Sequence, residues 1–229
     1  IAFLSVIGIL SVIFVTYTLQ PVLFNFLIKQ QGKKRSLPVT FKDLFFAVSV
    51  FLLFITGSLL SILIRGLFHI LPFKSDTKKY LFHRWLAFMS KAVVYLPFNV
   101  KKIINNPHKE TFNKPSVIIS NHQAHIDIPL ILMLHPKILV LTNDWVQKNI
   151  FYGKIVKYAD YYPTSNGYEK NLELLRKKVE KGYSILIYPE GSRSKNQSIN
   201  RFHKGAFAYA KALNIDLLPI IIQGAGDCI

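Results

Sequence analysis

Two long runs of apolar positions open the chain, and a different pattern follows them. From Ala2 to Ile28 no position is charged. A helix of that length crosses the roughly 30 Å hydrocarbon layer of a bilayer. The run lacks the basic start and small-residue cleavage site of a signal peptide. A second uncharged run extends from Leu44 to Ile64, ends at Arg65 and is closed by Gly66 to Pro72. Between the two, Lys29, Lys33, Lys34, Arg35 and Lys42 stand against Asp43. Two buried core helices are the bland alternative, but apolar runs this long without charge are rare outside membranes. The front of the chain therefore reads as a membrane helix at 1–28, a basic loop at 29–43 and a second membrane or re-entrant segment at 44–72.

Basic residues flank the second run on both sides: Lys33, Lys34 and Arg35 before it, Lys74, Lys78, Lys79 and Arg84 after it. Two complete spans would put one cluster on the outer face, against the preference of Lys and Arg for the cytoplasmic side. A segment that dips into one leaflet and returns, or lies along it, removes the conflict.

From about residue 80 the period changes. Leu81, Trp85, Phe88, Ala92 and Tyr95 recur at helical spacing among basic residues, which predicts an amphipathic helix over 80–96, either on a membrane surface or packed under the domain. After Pro115 short apolar runs alternate with helical patterns. Strands are expected at 116–120, 137–142, 183–188 and 216–222, with a weaker one at 158–163. Helices are expected at 128–135, 145–157, 168–181 and 204–213. Short apolar strands between helices predict an α/β fold with a mainly parallel sheet flanked by helices, preceded here by one or two membrane helices.

Composition sharpens this picture. The chain has 229 residues, 51% of them hydrophobic, and a formal net charge of +17. So strong a bias calls for an anionic partner, and lipid headgroups or phosphorylated substrates serve as well as nucleic acid. Cys228 is the single cysteine, so no intrachain disulfide forms. The sequence begins at Ile1 rather than Met and ends directly after a strand-like run, and reads as a piece of a longer protein.

Two polar clusters each follow a predicted strand: Asn121-His122-Gln123-Ala124-His125-Ile126-Asp127, and Glu190-Gly191-Ser192-Arg193 after Tyr188-Pro189. In an open parallel sheet, ligands bind beyond the carboxyl ends of the strands. On one regular helix His122 and Asp127 would point about 140° apart. They meet only if a turn intervenes, and Pro129 supports a helix start near Asp127. There the carboxylate could fix the imidazole tautomer and leave the other nitrogen to take a proton. Asp127 as a plain helix cap and His122 as a hydrogen-bonded loop residue remain open. A metal site from His122, His125 and Asp127 is a third option, although the spacing fits no zinc pattern. In the second cluster Arg193 offers a planar fork of donors for phosphate. Gly191 allows close backbone approach, and Glu190 could orient Arg193 or accept from a substrate hydroxyl. A polar surface loop is the alternative there.

Taken together, Asn121-His122-x-x-x-x-Asp127 and Pro189-Glu190-Gly191-Ser192-Arg193 resemble the two signature motifs of the glycerolipid (1-acylglycerol-3-phosphate and lysophospholipid) acyltransferase superfamily. Phe202-His203-Lys204-Gly205-Ala206-Phe207 looks like the basic segment after the second motif, and Leu218-Pro219-Ile220 looks like its last strand motif. The resemblance covers residues 80–229. It implies that His122, oriented by Asp127, deprotonates an acceptor hydroxyl that attacks the thioester of acyl-CoA or acyl-carrier protein. It implies acceptor binding by Glu190, Gly191, Ser192, Arg193 and Lys204, and oxyanion donors near Pro219. It implies no metal and no redox cofactor. Many family members carry an arginine for the acceptor phosphate between the two motifs, whereas Ala159 to Asn166 here hold no Arg or Lys. That puts a lysophosphatidic acid acceptor in question. Residues 1–28 resemble the last membrane helix of lipid-exporting transporters of the resistance-nodulation-division type. Such a fusion would place the domain on the cytoplasmic side of the inner membrane.

Three other classes compete. A lipid hydrolase would need a marked nucleophile, and no Gly-x-Ser-x-Gly elbow occurs. A nucleic-acid binder would interleave its basic residues with aromatics on one groove, whereas here they are scattered. Nucleic acid is therefore not the expected partner; membrane lipids are. A non-catalytic lipid-binding appendage of a transporter is the last, and the presence of all four motif side chains speaks against it.

Overall fold

The computed structural model describes residues 29–30, 33–34, 40–98, 100–150, 152–194 and 198–227. The apolar run at 1–28, with its transporter resemblance, lies outside the described residues.

The chain divides into two units, Ile1–Val48 and Ser49–Ile229. In the first, Lys29–Gln30 pairs antiparallel with Lys33–Lys34. Thr40 then opens helix α1, Phe41–Ile70. The Thr40 N–H donates to Asp43 Oδ2 at 3.1 Å, its hydroxyl donates to the same oxygen at 2.6 Å, and the Asp43 N–H donates back to the Thr40 hydroxyl at 3.2 Å. This reciprocal cap satisfies donors that every helix start leaves open. It starts the helix before the apolar run at Leu44, so residues 41–43 belong to α1 rather than to the expected basic loop.

Within the second unit the rest of α1 runs antiparallel to α2, Ser75–Tyr95. Gly57 faces Met89 and Ser61 faces Trp85: a Cβ on Gly57 would fall 2.3 Å from Met89 Cε. Trp85 Nε1 donates to Ser61 Oγ at 2.8 Å, and Ser61 Oγ donates to the Gly57 carbonyl at 2.7 Å. Small residues at one-turn spacing thus give α2 a seat. The opposite side of α1 is bare, with Phe51, Leu52, Leu59, Leu60, Leu63 and Leu67 exposed. By length and composition α1 can cross a membrane, and only 17% of its most apolar stretch is buried. α2 starts at Ser75, ahead of the expected residue 80.

The sheet is built from β1 Ser116–Ser120, β2 Ile138–Thr142, β3 Tyr162–Pro163, β4 Ser184–Ile187 and β5 Asp216–Ile220, in the order β3-β2-β4-β1-β5. All of its strand pairs are parallel. Side chains alternate between faces, so Ile118 and Leu186 point into one layer and Val117 and Ile185 into the other. The first layer is packed by α1, α2, α3 (Asp127–Leu132) and α5 (Gly153–Tyr158) around Phe82 and Ile131. The second is packed by α6 (Tyr168–Val179) and α7 (Gly205–Leu213) around Leu175, Tyr209 and Leu213. Burial on both faces is why β1, β2 and β4 read as apolar runs without alternation, whereas edge strand β5 is largely exposed. The expected helix at 145–157 is instead two, α4 (Asp144–Lys148) and α5. The chain folds back between them so closely that a Cβ on Gly153 would sit 2.4 Å from the Gln147 carbonyl oxygen. The weak strand expected at 158–163 shrinks to Tyr162–Pro163, because Asp160 takes a left-handed turn with φ 56°.

At the amino edge of the sheet that Asp160 turn is pinned. Lys79 Nζ donates to Asp160 Oδ1 at 2.9 Å and Lys178 Nζ to Oδ2 at 2.6 Å. Burial works against the carboxylate, but these two lysines outweigh it and hold its pKa below the usual value. Beside it His83 is buried against the rings of Tyr161 and Tyr183, at centroid distances of 6.0 and 5.2 Å. Burial strips the water a cation needs and pushes the His83 pKa down to about 4, despite the nearby Asp160 carboxylate. The folded protein therefore resists protonating His83, while the unfolded chain takes up that proton below about pH 6.5. Stability is complete above that pH and falls as pH drops toward 4, by roughly 3 kcal/mol in total at about 1.4 kcal/mol per unit. Urea midpoints at pH 7.5 and pH 4.5 should show the loss, and His83→Leu should flatten the difference.

Candidate active site

β1 and β4 are neighbours and run in the same direction, so the chain leaves both at one edge. Asn121 continues the pairing of β1 with β5 by its side chain. Its Nδ2 donates to the Ile222 carbonyl and its Oδ1 accepts the Ile222 N–H, each at 2.8 Å. The turn that follows ends at Asp127, the first residue of α3.

Asp127 is completely buried. Its Oδ2 accepts the Gln123 N–H at 2.6 Å and the Ala124 N–H at 2.8 Å, and lies 2.9 Å from His122 Nδ1. The carboxylate thus faces back into the turn rather than capping α3, whose N-cap is Ile126. A carboxylate can only accept, so Nδ1 is the donor to Asp127, and in the neutral imidazole Nε2 is left with the lone pair. The Tyr188 ring stacks on the imidazole at 4.2 Å and 22°, which sets the plane in which that lone pair lies. Burial, and then the Asp127 charge, push the Tyr188 pKa far up, so the phenol stays neutral. Among the described residues neither its hydroxyl nor Asp127 Oδ1, both buried, has a hydrogen-bond partner.

The second cluster locks onto the first. Glu190 is buried; its Oε1 accepts the His122 N–H at 2.9 Å and its Oε2 accepts the Asn200 N–H at 2.9 Å. The Ser194 N–H donates to the His122 carbonyl at 2.8 Å. Each Glu190 oxygen thus accepts one backbone N–H, and the carboxylate clamps the two loops together. Gly191 has φ +70°, and a Cβ there would lie 3.5 Å from the His203 ring. Glycine is what lets the loop turn against that imidazole. Ser192 and Arg193 are exposed, and among the described residues Arg193 pairs with no carboxylate. His125 lies in its field: burial, then the Arg193 and His122 charges, lower the His125 pKa. Lys204 is exposed at the start of α7, next to His203, whose N–H donates to the Pro189 carbonyl at 2.8 Å. Pro219 lies on edge strand β5 beside Ile119. An edge strand is where a residue without an N–H is tolerated.

The structure therefore joins His122, Asp127 and Glu190 directly, and groups Gly191 with His203. Tyr188 and Asn121 escape sequence reasoning as site residues. Tyr188 could have been suspected only from its place immediately after a strand and before Pro189-Glu190.

Residues 97–223 match the model of the acyltransferase family. A chloroplast 1-acyl-sn-glycerol-3-phosphate acyltransferase of Arabidopsis thaliana is 27% identical over 158 residues, 66% of this chain and 44% of that protein. A lyso-ornithine lipid O-acyltransferase of Pseudomonas aeruginosa is 26% identical over 146 residues, 62% of this chain and 53% of that one. This chain spans about half the length of the curated relatives it matches. The crystal structure of the 1-acyl-sn-glycerophosphate acyltransferase PlsC of Thermotoga maritima superposes with a TM-score of 0.62 over 81% of this chain and 74% of that one, at 17% identity. At that identity the fold is what is shared.

The clamp sets a stability test. Glu190→Ala leaves the His122 and Asn200 N–H groups without an acceptor, and should cost about 2–4 kcal/mol. Glu190→Gln keeps one accepting oxygen and should cost less. Thermal unfolding of both variants measures the order; a Glu190 that faced only solvent would leave both midpoints unchanged.

Proposed function

This chain belongs to the acyltransferase family, and on that premise we propose that it transfers a fatty acyl group from a thioester, acyl-CoA or acyl-carrier protein, to the hydroxyl of a lysophospholipid-like acceptor. The observation that carries the reading is the 2.9 Å contact between His122 Nδ1 and Asp127 Oδ2 at the carboxyl edge of the sheet, with the Arg193 guanidinium nearby.

Each residue has a part in the reaction. His122 Nε2 removes the proton of the acceptor hydroxyl as its oxygen attacks the thioester carbonyl carbon. The carbon–oxygen bond forms, the tetrahedral species collapses, and the carbon–sulfur bond breaks. The thiolate leaves with the proton that His122 holds. Asp127 stabilises the imidazolium formed between those steps and keeps Nδ1 protonated. Arg193 and Lys204, both exposed, hold an anionic headgroup. The carboxyl end of β3 offers Thr164, Ser165 and Asn166 instead of a cation. This favours an acceptor whose headgroup is gripped from the Arg193 side alone. The named substrates of the relatives, a lysophosphatidic acid and a lyso-ornithine lipid, bracket the acceptor class.

The protein works at a membrane, with the catalytic edge on the cytoplasmic face of the inner membrane. Helix α1 supports the membrane part of this reading: at 1.5 Å per residue its 30 residues extend about 45 Å, with a bare apolar side. Two stretches of its second-unit part meet different edges of the sheet. Phe68 and His69 lie by Tyr158 at the amino edge. Phe54 meets Tyr152 at the carboxyl edge, with ring centroids 6.1 Å apart. A lipid held beside the Phe54 stretch of α1 is thus held at the same edge of the sheet as His122.

Protein reconstituted in vesicles with a lysophospholipid and a labelled acyl thioester should form the diacyl product. His122→Ala should lower the rate by about 10²–10⁴ while the protein still floats with the vesicles; undiminished turnover would refute the base. Arg193→Ala should raise the acceptor KM about tenfold or more and leave the thioester KM near its original value. An unchanged acceptor KM would remove Arg193 from headgroup binding.

A further inference from the structure

We propose that the segment after β2 from Trp145 to Ile150, most of it helix α4, is a membrane contact in its own right, seated in the interfacial layer of an anionic bilayer next to the catalytic edge. The inference rests on the membrane reading above. β2 ends at Thr142 on the same edge as the loop that carries His122, because the sheet is parallel. The segment is fixed from beneath. Gln147 Nε2 donates to the Tyr161 carbonyl at 2.8 Å, and Gly153 packs against the Gln147 carbonyl. With Gln147 turned inward, Trp145 and Ile150 face out, 52% and 83% exposed. A large indole and an isoleucine held outward by a rigid turn are costly in water.

The segment is also joined to the apolar helix. Tyr152 bridges them: its ring centroid lies 6.5 Å from that of Trp145 and 6.1 Å from that of Phe54 on α1. Whatever covers the Phe54 stretch of α1 therefore reaches Trp145. The chemistry fits the headgroup layer. An indole has an apolar body and one N–H donor, which suits the boundary between acyl chains and headgroups. Lys148, Lys154 and Lys157 are exposed on the same stretch, against Asp144 alone. Their stems can lie along lipid while their ammonium groups meet anionic headgroups. A second copy of a chain with net charge +17 fits this surface poorly. An acceptor lipid lying against the segment would then reach the catalytic edge without passing through bulk water.

Trp85 and Trp145 are the two tryptophans of the chain, so Trp85→Phe isolates Trp145. The full chain is reconstituted in phosphatidylglycerol vesicles whose acyl chains carry bromine at chosen depths. Trp145 emission should be quenched severalfold, more by bromines near the headgroup than by those at the chain end, and iodide should lose access to it. Full iodide access without bromine quenching, in protein that floats with the vesicles, overturns the contact and leaves α1 as the anchor. Protection from iodide without bromine quenching means that protein covers the segment, and overturns the contact too. Protein that fails to float overturns the membrane reading and this contact together. If Trp85→Phe loosens α1, a polarity-sensitive dye on Ile150→Cys in a Cys228→Ser background reads the same environment: blue-shifted emission supports the contact, and emission as in water overturns it.

Discussion

A carboxylate without water must find its stabilisation in the groups around it, and Asp127 finds it in three donors converging on one oxygen. Two of them are backbone N–H groups of the turn that Asp127 itself closes. The third is the imidazole of His122. Because the backbone donors hold Oδ2 in place, the imidazole meets a fixed acceptor, and its tautomer and direction follow. Removing the carboxylate would therefore disturb the turn as well as the charge. The cost of burying it is met locally, by residues within five positions in sequence, and this makes the pair a compact unit at the end of a single strand.

That unit becomes a site through topology. β1 lies between β4 and β5, parallel to both, so three loops leave the sheet side by side. Asn121 ties the first to the third through Ile222, and Glu190 ties the first to the second through the His122 N–H. Both ties use a buried polar side chain against backbone groups, which is the arrangement that leaves no orphaned donor. The imidazole is then held on its Nδ1 side by Asp127 and on one face by Tyr188. The same edge carries Phe54, Tyr152 and Trp145. On the proposed reading, an acyl chain or lipid acceptor arriving along the Phe54 stretch of α1 would reach the edge that carries His122 without crossing the sheet.

Much of this was readable in advance. Parallel strands buried on both faces leave apolar runs, so the strands at 116–120 and 138–142 were visible to within two residues; the exposed edge strand at 216–220 was visible from its apolar run alone. The meeting of His122 and Asp127 was readable because five-residue spacing forbids one helix and Pro129 marks where a helix can start. The role of Glu190 was not, since its partners are two backbone N–H donors and backbone groups carry no sequence signature. Tyr188 was hidden because an aromatic at the end of a buried strand looks like core. The split of the 145–157 helix depends on Gly153 packing against the Gln147 carbonyl, a contact between backbones that periodicity does not encode. The early start of α1 was legible in Thr40-Phe41-Lys42-Asp43, but charge drew those residues into the loop.

The account depends on the carboxylate of Asp127 acting through His122. Asp127→Asn keeps the shape and removes the charge. Steady-state kinetics of that variant, with both substrates varied, should show kcat reduced by about 10²-fold or more and both KM values little changed. A kcat equal to that of the unaltered protein would contradict the assignment of His122 and Asp127 as the group that moves the proton.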